Sequence, residues 1–362
     1  MWSTWAVLFL SVSSLSPASA TAAHKAKAKP ILFDTDIFSD VDDVGALTIA
    51  NTLHRCGAAD LRGIFVNTPS EYGSLTVSAI NTYFGHGDIP IAALRPLTNE
   101  TFVDTWEYIL GEYTSKIAYN WPHDLAYANE SAEPLTQYRE LLAAADDASL
   151  TLVSVGFLDN LAALLDSPAD AISPLNGTAL IEAKVAELVI MGGEYPSGWE
   201  FNLGSSPSAS QRVVNRWPRS VALTFSGASP GGNVFSAAHL AREAPADSPS
   251  LAAYQWYVGR CATRRESWDP ITTLYAILGL DADASAGQRR PLFAYGNTHG
   301  YNTVDDDGNN AWVNDTAVTN QHWITLADGV TNNTVATVLD RYFASGPSTP
   351  CAAVAGSHLT GW

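Results

Sequence analysis

The feature that most constrains the fold is an acidic stretch close to the start of the chain. An apolar run, residues 31–33, comes directly before it, and a small and apolar segment, residues 44–53, follows it. This order predicts a strand, an acidic loop and a helix. Five carboxylates fall within ten residues of this loop: Asp34, Asp36, Asp40, Asp42 and Asp43.

The density of negative charge in this loop calls for a positive partner. Carboxylates so close together repel one another, and their pKa values rise unless a cation lies among them. The dipole of a following helix stabilises each by only about 0.3–1 kcal/mol. A solvated acidic turn is the alternative, but the loop follows a buried type of strand, where open α/β sheets bind their ligands. A hard divalent cation with oxygen ligands is therefore the preferred interpretation.

Strands alternate with helices along the rest of the chain. This order predicts a single α/β domain with an open, mostly parallel sheet and helices on both faces. Residues 95–133, rich in Trp, Tyr and Asn, are expected to be an irregular insertion, and residues 234–241 a helix. The predicted strands include residues 61–66, 150–155 and 187–191, and the predicted helices include 74–84, 158–165 and 269–278.

The first 20 residues are typical of a secretory signal peptide. A short apolar core, residues 7–10, precedes an Ala-x-Ala cleavage site at residues 18–20. Residues 21–29 are expected to be a flexible leader, and residues 30–362 the mature domain. Together with the signal peptide, five Asn-x-Ser/Thr sequons predict a secreted eukaryotic glycoprotein. The sequon asparagines are Asn99, Asn129, Asn176, Asn314 and Asn332.

The net charge of −18 argues against binding to nucleic acid, because no basic stripe offers contacts to phosphates. No apolar run after the signal peptide is long enough to span a bilayer. The charge itself does not identify a partner, and the sequence leaves a homo-oligomer open.

Three cysteines allow one intramolecular disulfide in an oxidising compartment. We prefer the pair Cys261 and Cys351, which leaves Cys56 as a buried thiol on the first helix. The spacing itself leaves the other pairings open.

Three further segments follow predicted strands or begin a predicted helix. They are residues 155–161 (Val-Gly-Phe-Leu-Asp-Asn-Leu), residues 191–202, which end in Trp-Glu-Phe-Asn, and residues 267–270 (Ser-Trp-Asp-Pro). Asp269 before Pro270 is also typical of a helix N-cap. Glu200 and Asn202 have alternate-residue spacing, so in an extended segment they would face the same way and suit a sugar diol.

In this order the segments resemble the inosine–uridine nucleoside hydrolase family, from about residue 30 to the last predicted helix. The family pattern is Asp-x-Asp followed shortly by Asp-Asp, which here is residues 34–36 and 42–43 with two extra residues between them. The resemblance implies a Rossmann-like core and Ca²⁺-dependent hydrolysis of the N-glycosidic bond of ribonucleosides to ribose and free base.

The resemblance also implies roles for individual residues. Asp34 would support the loop from behind. Asp36 is also the expected general base, because a side chain that directly follows the strand is held rigidly and can meet metal and water together. The expected Ca²⁺ ligands are Asp36, Asp43, Asp269 and the backbone carbonyl of Asp159. The expected substrate-binding residues are Asp42, Asn67, Glu200, Asn202 and Trp268.

Two departures from the family pattern concern the leaving base. Trp268 stands where the family has a His that is linked to the departing base, and an Asn upstream of residues 200–202 has no counterpart. Base preference and the leaving-group acid are therefore open. Trp268 is expected either to stack on a purine or to pack in the core.

Two other functions fit parts of the chain. Residues 32–36 resemble the nucleophile loop of haloacid-dehalogenase-type phosphatases, but Phe38 stands where that loop has Thr or Val. A secreted calcium- or sugar-binding protein without catalysis is the second alternative, because the family His is missing.

Overall fold

The computed structural model describes residues 1–2, 28–38, 40–100, 112–281 and 291–355. The core and cleavage site of the expected signal peptide, residues 7–10 and 18–20, lie outside these ranges, as does most of the expected leader. In the part that is described, no helix is both long enough and apolar enough to cross a membrane.

The strands and helices alternate along the chain, as the sequence predicts. The strands are β1 (Lys29–Thr35), β2 (Ala59–Val66), β3 (Ile91–Ala93), β4 (Leu150–Ser154), β5 (Val185–Met191), β6 (Ser197–Gly198), β7 (Ala222–Ser226), β8 (Phe235–Ser236), β9 (Arg265–Glu266), β10 (Phe293–Tyr295), β11 (Tyr301–Val304), β12 (Asn310–Val313) and β13 (Gln321–Leu326).

The described residues also form fourteen helices and a 3-10 turn at Ala128–Glu130. They are α1 (Asp42–Arg55), α2 (Glu71–Phe84), α3 (Thr114–Asn120), α4 (Pro134–Ala144), α5 (Asp159–Asp166), α6 (Gly177–Lys184), α7 (Phe201–Ser205), α8 (Pro207–Arg216), α9 (Ala228–Gly232), α10 (Leu240–Glu243), α11 (Pro249–Tyr257), α12 (Trp268–Leu278), α13 (Asn332–Phe343) and α14 (Cys351–Ala355).

An eight-stranded sheet has the order β10-β13-β7-β5-β4-β1-β2-β3. All neighbouring pairs are parallel except β10 and β13 at one edge. The chain moves outward from β1 through β2 to β3 and then returns to place β4 on the other side of β1. This reversal is a topological switch point, and ligands of open α/β sheets bind at the carboxyl ends of the strands there. The predicted fold class is confirmed.

Alternate residues of β1 serve two different cores. Ile31 and Phe33 are buried in a cluster with side chains of α1, α11, α12 and α13. Leu32, which points to the other face, is buried with side chains of α4, α5, α6 and α8. A strand covered on both faces needs apolar residues at every position, which is why residues 31–33 have no polar alternation.

Three local expectations differ from the structure. Residues 234–241 do not form a helix, because β8 pairs with β9 in this segment and α10 begins only at Leu240. The insertion expected at residues 95–133 contains α3 and the 3-10 turn, while its residues 101–111 lie outside the description. Helix α6 was not predicted; the Asn176 side chain caps it by accepting a hydrogen bond from the amide of Ala179.

The preferred disulfide pairing was wrong. Cys56, the residue after α1, is bonded to Cys351, the first residue of α14, and Cys261 is a free and exposed thiol. The reason is tertiary: α13 packs along α1 and carries the following α14 to the C-terminal end of that helix. A separation of 295 residues gives no local signal for such a contact.

Candidate active site

Three aspartates from three elements meet at the switch point. Asp36 directly follows β1, Asp43 is the second residue of α1, and Asp269 is the second residue of α12. Each offers a carboxylate oxygen that lies within 4.8 Å of those of the other two. All three are buried, and α1 and α12 pack against each other, so the cluster is held by two helices and a strand end.

The electrostatics of this cluster are unfavourable without a cation. Burial, followed by the charges of Asp40 and Glu200, raises the pKa of Asp36 to about 8. Burial also raises the pKa values of Asp43 and Asp269 well above the usual range, followed by repulsion from neighbouring aspartates. Three buried oxygen ligands with no amine or guanidinium among them fit a hard divalent cation.

Gly156, after β4, allows β1 and β4 to end at one point. A Cβ at this position would lie 2.5 Å from the amide nitrogen and 2.6 Å from Oδ1 of Asp36. No side chain fits there without displacing Asp36. The glycine noted at the end of the predicted strand is therefore required by the close approach of the acidic loop.

Asp42 and Asp43 are adjacent but make different contacts. Asp42 accepts a hydrogen bond from the backbone amide of Asp269, at 3.1 Å. Asp43 accepts one from the Thr35 hydroxyl. Asp42 lines the same cleft but is not a member of the Asp36, Asp43 and Asp269 cluster.

Asp34 lies behind the loop, where the sequence places it. Its carboxylate accepts hydrogen bonds from the Asn67 amide and the Tyr138 hydroxyl, both at 2.7 Å, and from the Asn160 amide at 3.3 Å. Burial raises the pKa of Asp34 to about 7, and these three donors oppose the rise. Asn67 was expected to bind substrate, but the structure places it here, and it is not among the residues that line the cleft.

Glu200 and Asn202 converge on the cleft by a different route from the expected one. The segment is not extended: Glu200 is the N-cap of α7, and Asn202 lies in its first turn. The Glu200 carboxylate accepts hydrogen bonds from the amides of Gly193, Asn202 and Leu203. The capping geometry, and not strand alternation, brings both side chains to the cleft.

Asp159 begins α5, and its half-buried carboxylate accepts a hydrogen bond from Ser206 at 3.1 Å. Its side chain is not part of the acidic cluster, so the expected contact to an ion rests on its backbone carbonyl alone. Asp269, for which an N-cap was the alternative, lies inside α12, whose N-cap is Ser267.

The acidic cluster forms the floor of a cleft of about 330 Å³ with an aromatic wall. Trp199, Phe201 and Trp268 all line this cleft. Trp268 also packs against the core, and its indole Nε1 donates a hydrogen bond to the carbonyl of Ala228, at 2.9 Å. Trp268 thus packs against the core and also borders the cleft, and its stacking on a purine stays a prediction.

An ion pair at the rim was not predicted. Asp40 accepts hydrogen bonds from the guanidinium of Arg265, with Nε at 3.0 Å from Oδ1, and the Tyr113 hydroxyl donates to the Asp40 carbonyl at 2.6 Å. Arg265 also donates to Glu266 at 3.0 Å. A lone Arg between predicted elements belongs to no motif, so the sequence offered no signal for this contact.

A protein-family comparison decides the assignment. The family model of the inosine-uridine preferring nucleoside hydrolases matches residues 31–321. The chain belongs to this family. It is therefore an enzyme of the N-ribosyl hydrolase type, and the phosphatase alternative is excluded. No curated protein sequence matches this nucleoside hydrolase.

Solved structures agree on the fold of this nucleoside hydrolase. A plant nucleoside hydrolase aligns with a TM-score of 0.61 at 16% identity, over 88% of this chain and 99% of the other. A purine-preferring ribonucleoside hydrolase from Gardnerella vaginalis aligns at 0.61 and 15%, over 91% and 98%. An inosine-guanosine nucleoside hydrolase aligns at 0.61 and 17%, over 88% and 99%.

Proposed function

We propose that this protein hydrolyses the N-glycosidic bond of ribonucleosides to ribose and free base, with Ca²⁺ as its cofactor. The observation that carries the proposal is the buried cluster of Asp36, Asp43 and Asp269 on the floor of a cleft, in a chain that belongs to the nucleoside hydrolase family. The three carboxylates, with the carbonyl of Asp159, would hold the ion. Oxygen ligands of this kind suit Ca²⁺.

A bound divalent cation supplies Lewis acidity, which makes a water molecule a nucleophile at moderate pH. In our proposal Asp36 takes the proton of this water, because its carboxylate is held by the rigid end of β1 and faces the cleft. The anionic floor also stabilises the positive charge that develops on the ribosyl group as the N-glycosidic bond breaks.

Asp42, Glu200 and Asn202 are proposed to hold the ribose. All three line the cleft beside the metal cluster, and each is fixed by hydrogen bonds to backbone groups. Such fixed groups can orient a diol without losing side-chain entropy when substrate binds. Asn67 acts through Asp34 in this proposal and not on the substrate.

The charge of the cleft favours nucleosides over nucleotides. Arg265 is the one guanidinium or amine among the described residues that line it, and it is bonded to Asp40 and Glu266. A 5′-phosphate would therefore enter a site whose remaining charges are carboxylates, and repulsion would weaken its binding.

Secretion with N-glycosylation is a further part of the proposal. The five sequon asparagines are all exposed, so each is accessible for modification. The Cys56–Cys351 disulfide supports an oxidising compartment.

The test is a panel of purine and pyrimidine ribonucleosides and their 5′-monophosphates, with free ribose and free base measured separately. Turnover should disappear after exhaustive chelation and return with Ca²⁺, and the melting temperature should fall on chelation because the ion binds only the folded state. In Asp43→Asn, chelation and added Ca²⁺ should no longer change turnover or the melting temperature. Asp328→Asn, which replaces an exposed carboxylate outside the cleft, should behave as wild type.

Two outcomes would contradict the proposal. If chelation changes neither turnover nor the melting temperature, the metal assignment is wrong. Ca²⁺ binding without release of base from any nucleoside would instead favour a binding protein of the same fold, the alternative suggested by Trp268 in the position of the family His.

A further inference from the structure

Trp199 is an exposed aromatic side chain at the cleft. It precedes Glu200, the N-cap of α7, and the residue is 49% exposed although it lines the cleft. Exposed Trp side chains are rare unless they serve recognition, because their burial stabilises a fold strongly. None of the roles described above uses this side chain.

The indole of Trp199 packs against the backbone at Gly204. A Cβ at Gly204 would lie 2.1 Å from the indole Nε1 and 2.2 Å from Cε2. Gly204 itself lies against Gly308 in the turn between β11 and β12, where a Cβ would lie 2.6 Å from the Cα of Gly204. Gly204 thus clears the space in which the ring lies, and Gly308 allows its turn to approach the backbone of Gly204.

The two indoles of the cleft are held differently. Trp268 is fixed by the hydrogen bond of its Nε1 to Ala228 and by packing against the core. Within the described residues, the Trp199 Nε1 makes no hydrogen bond, and half of its side chain faces solvent. Trp199 therefore has both a free donor and a free aromatic face at the entrance of the site.

We propose that Trp199 is a specificity-determining residue, whose indole stacks on the planar base of the bound nucleoside and so favours the larger purine bases. The inference rests on the proposed function and names a residue outside the acidic cluster that would contact the base. Gly204 is the positioning residue for Trp199, since the indole occupies the space that a side chain at Gly204 would fill.

The experiment compares Trp199→Ala, Trp199→Phe and Gly204→Ala with wild type on inosine, adenosine and uridine. Trp199→Ala should lower kcat/KM for the purine nucleosides by about 5- to 150-fold, the range of base stacking on an aromatic side chain. The loss should appear mainly in KM, because stacking is lost in the ground state as well as the transition state. Uridine should lose less, and Trp199→Phe should restore most of the purine activity.

Gly204→Ala separates stacking from a general role of Trp199 in folding. Gly204→Ala leaves Trp199 unchanged in the sequence, but the added methyl group displaces the indole from its position against Gly204. Alanine is also a better helix former than glycine in α7. It should therefore reproduce the loss on purines with an unchanged melting temperature. Tyr119→Ala, which removes an aromatic side chain that is 73% exposed outside the cleft, is the matched control and should change nothing.

Binding of free hypoxanthine, measured by calorimetry, distinguishes this inference from the proposed function. If wild type binds the base, Trp199→Ala binds it weakly, and no nucleoside is cleaved, the function is wrong and this inference stands. Equal losses on purines and uridine, unchanged hypoxanthine binding in Trp199→Ala, or wild type that binds no hypoxanthine would each overturn the inference.

Discussion

Asp36 and Asp42 belong to one loop, but the structure holds them in different ways. Asp36 is a member of the three-carboxylate cluster, whereas Asp42 lies beside that cluster and accepts the backbone amide of Asp269. Adjacent acidic side chains at the start of a helix cannot all face one ion, so they are available for separate tasks. This difference in contacts is the basis of a kinetic prediction.

We expect Asp36→Asn to lower kcat by about 10²- to 10⁴-fold, the usual effect of losing a general base. Asp42→Asn should instead reduce the preference of wild type for ribonucleosides over 2′-deoxyribonucleosides, because it weakens contacts to the ribose hydroxyls. The measurement is kcat and KM for both variants on both sugars. Near-normal kcat in Asp36→Asn, or an undiminished ribose preference in Asp42→Asn, would contradict these roles.

Asp34 permits a prediction about stability. In Asp34→Asn an amide N–H group would face the donors of Asn67, Tyr138 and Asn160, so at least one buried donor loses its acceptor. Removal of the buried charge offsets part of this loss, so we expect a decrease of about 2 kcal/mol in the free energy of unfolding at pH 8. Tyr138→Phe, which removes one hydrogen bond, should lose about 1 kcal/mol. Urea titration measures both, and equal losses would speak against a central role for Asp34.

At the scale of residues, the sequence identified the carboxylates because clustered like charges need a compensating partner. It did not identify Arg265, whose contact with Asp40 joins positions 225 residues apart. Nor did it single out Trp199, whose position depends on its packing against Gly204 and on the approach of Gly308 to Gly204. Side chains that act through distant neighbours leave no periodic or local pattern.

Elements with a strong local signal were predicted well. Helix α2, for example, ends at Phe84, as predicted, and Gly85 follows it in the left-handed conformation. The short strands β8 and β9 were missed, because a two-residue pair depends on tertiary contacts and has too few residues for alternation. The capping of α7 by Glu200 was missed for a similar reason, since Glu at an N-cap is not a preferred choice.

Two histidine rings meet just beyond the end of α2. The rings of His54, on α1, and His86 are 4.6 Å apart, and the His86 Nδ1 lies 2.8 Å from Oδ1 of Asn51. Burial, followed by His54, lowers the pKa of His86 to about 4. Arg55 acts in the same direction, and Asp88 opposes it.

This lowered pKa predicts an acid-sensitive contact. The unfolded chain takes up a proton at His86 near pH 6.5, and the folded chain only near pH 4, so stability falls as the pH decreases between these values. We expect a loss of about 1–2 kcal/mol, reduced by solvent screening because the ring is only half-buried. His86→Gln should make the free energy of unfolding less dependent on pH in this window. An identical slope in the variant would contradict the assignment.

For the whole molecule, the order of strands and helices specified the sheet, and the switch point beside β1 specified where the site lies. The contact between the end of α1 and the start of α14 was not predictable. Packing of α13 on α1 sets the disulfide, and no feature of the sequence near Cys56 or Cys351 indicates that these two helices are neighbours.

The disulfide should contribute substantially to global stability. Cys56→Ser should lower the free energy of unfolding by about 2–4 kcal/mol, because the bond restricts the unfolded chain. Cys261→Ser is the matched control and should leave it unchanged, since this thiol is free and exposed. Calorimetric scans with and without reductant measure the effect. Labelling one thiol per native chain, and none in Cys261→Ser, would verify the pairing.

The same bond makes a closed ring of most of the polypeptide. Any single proteolytic cut between Cys56 and Cys351 would open this ring without dividing the molecule, because both fragments stay joined through the two sulfurs. A nicked enzyme would migrate as one species on a non-reducing gel and separate into two only after reduction. Secreted as we propose, the protein would thus keep β1, α1 and α12, and with them Asp36, Asp43 and Asp269, in one covalent unit after a first proteolytic cut.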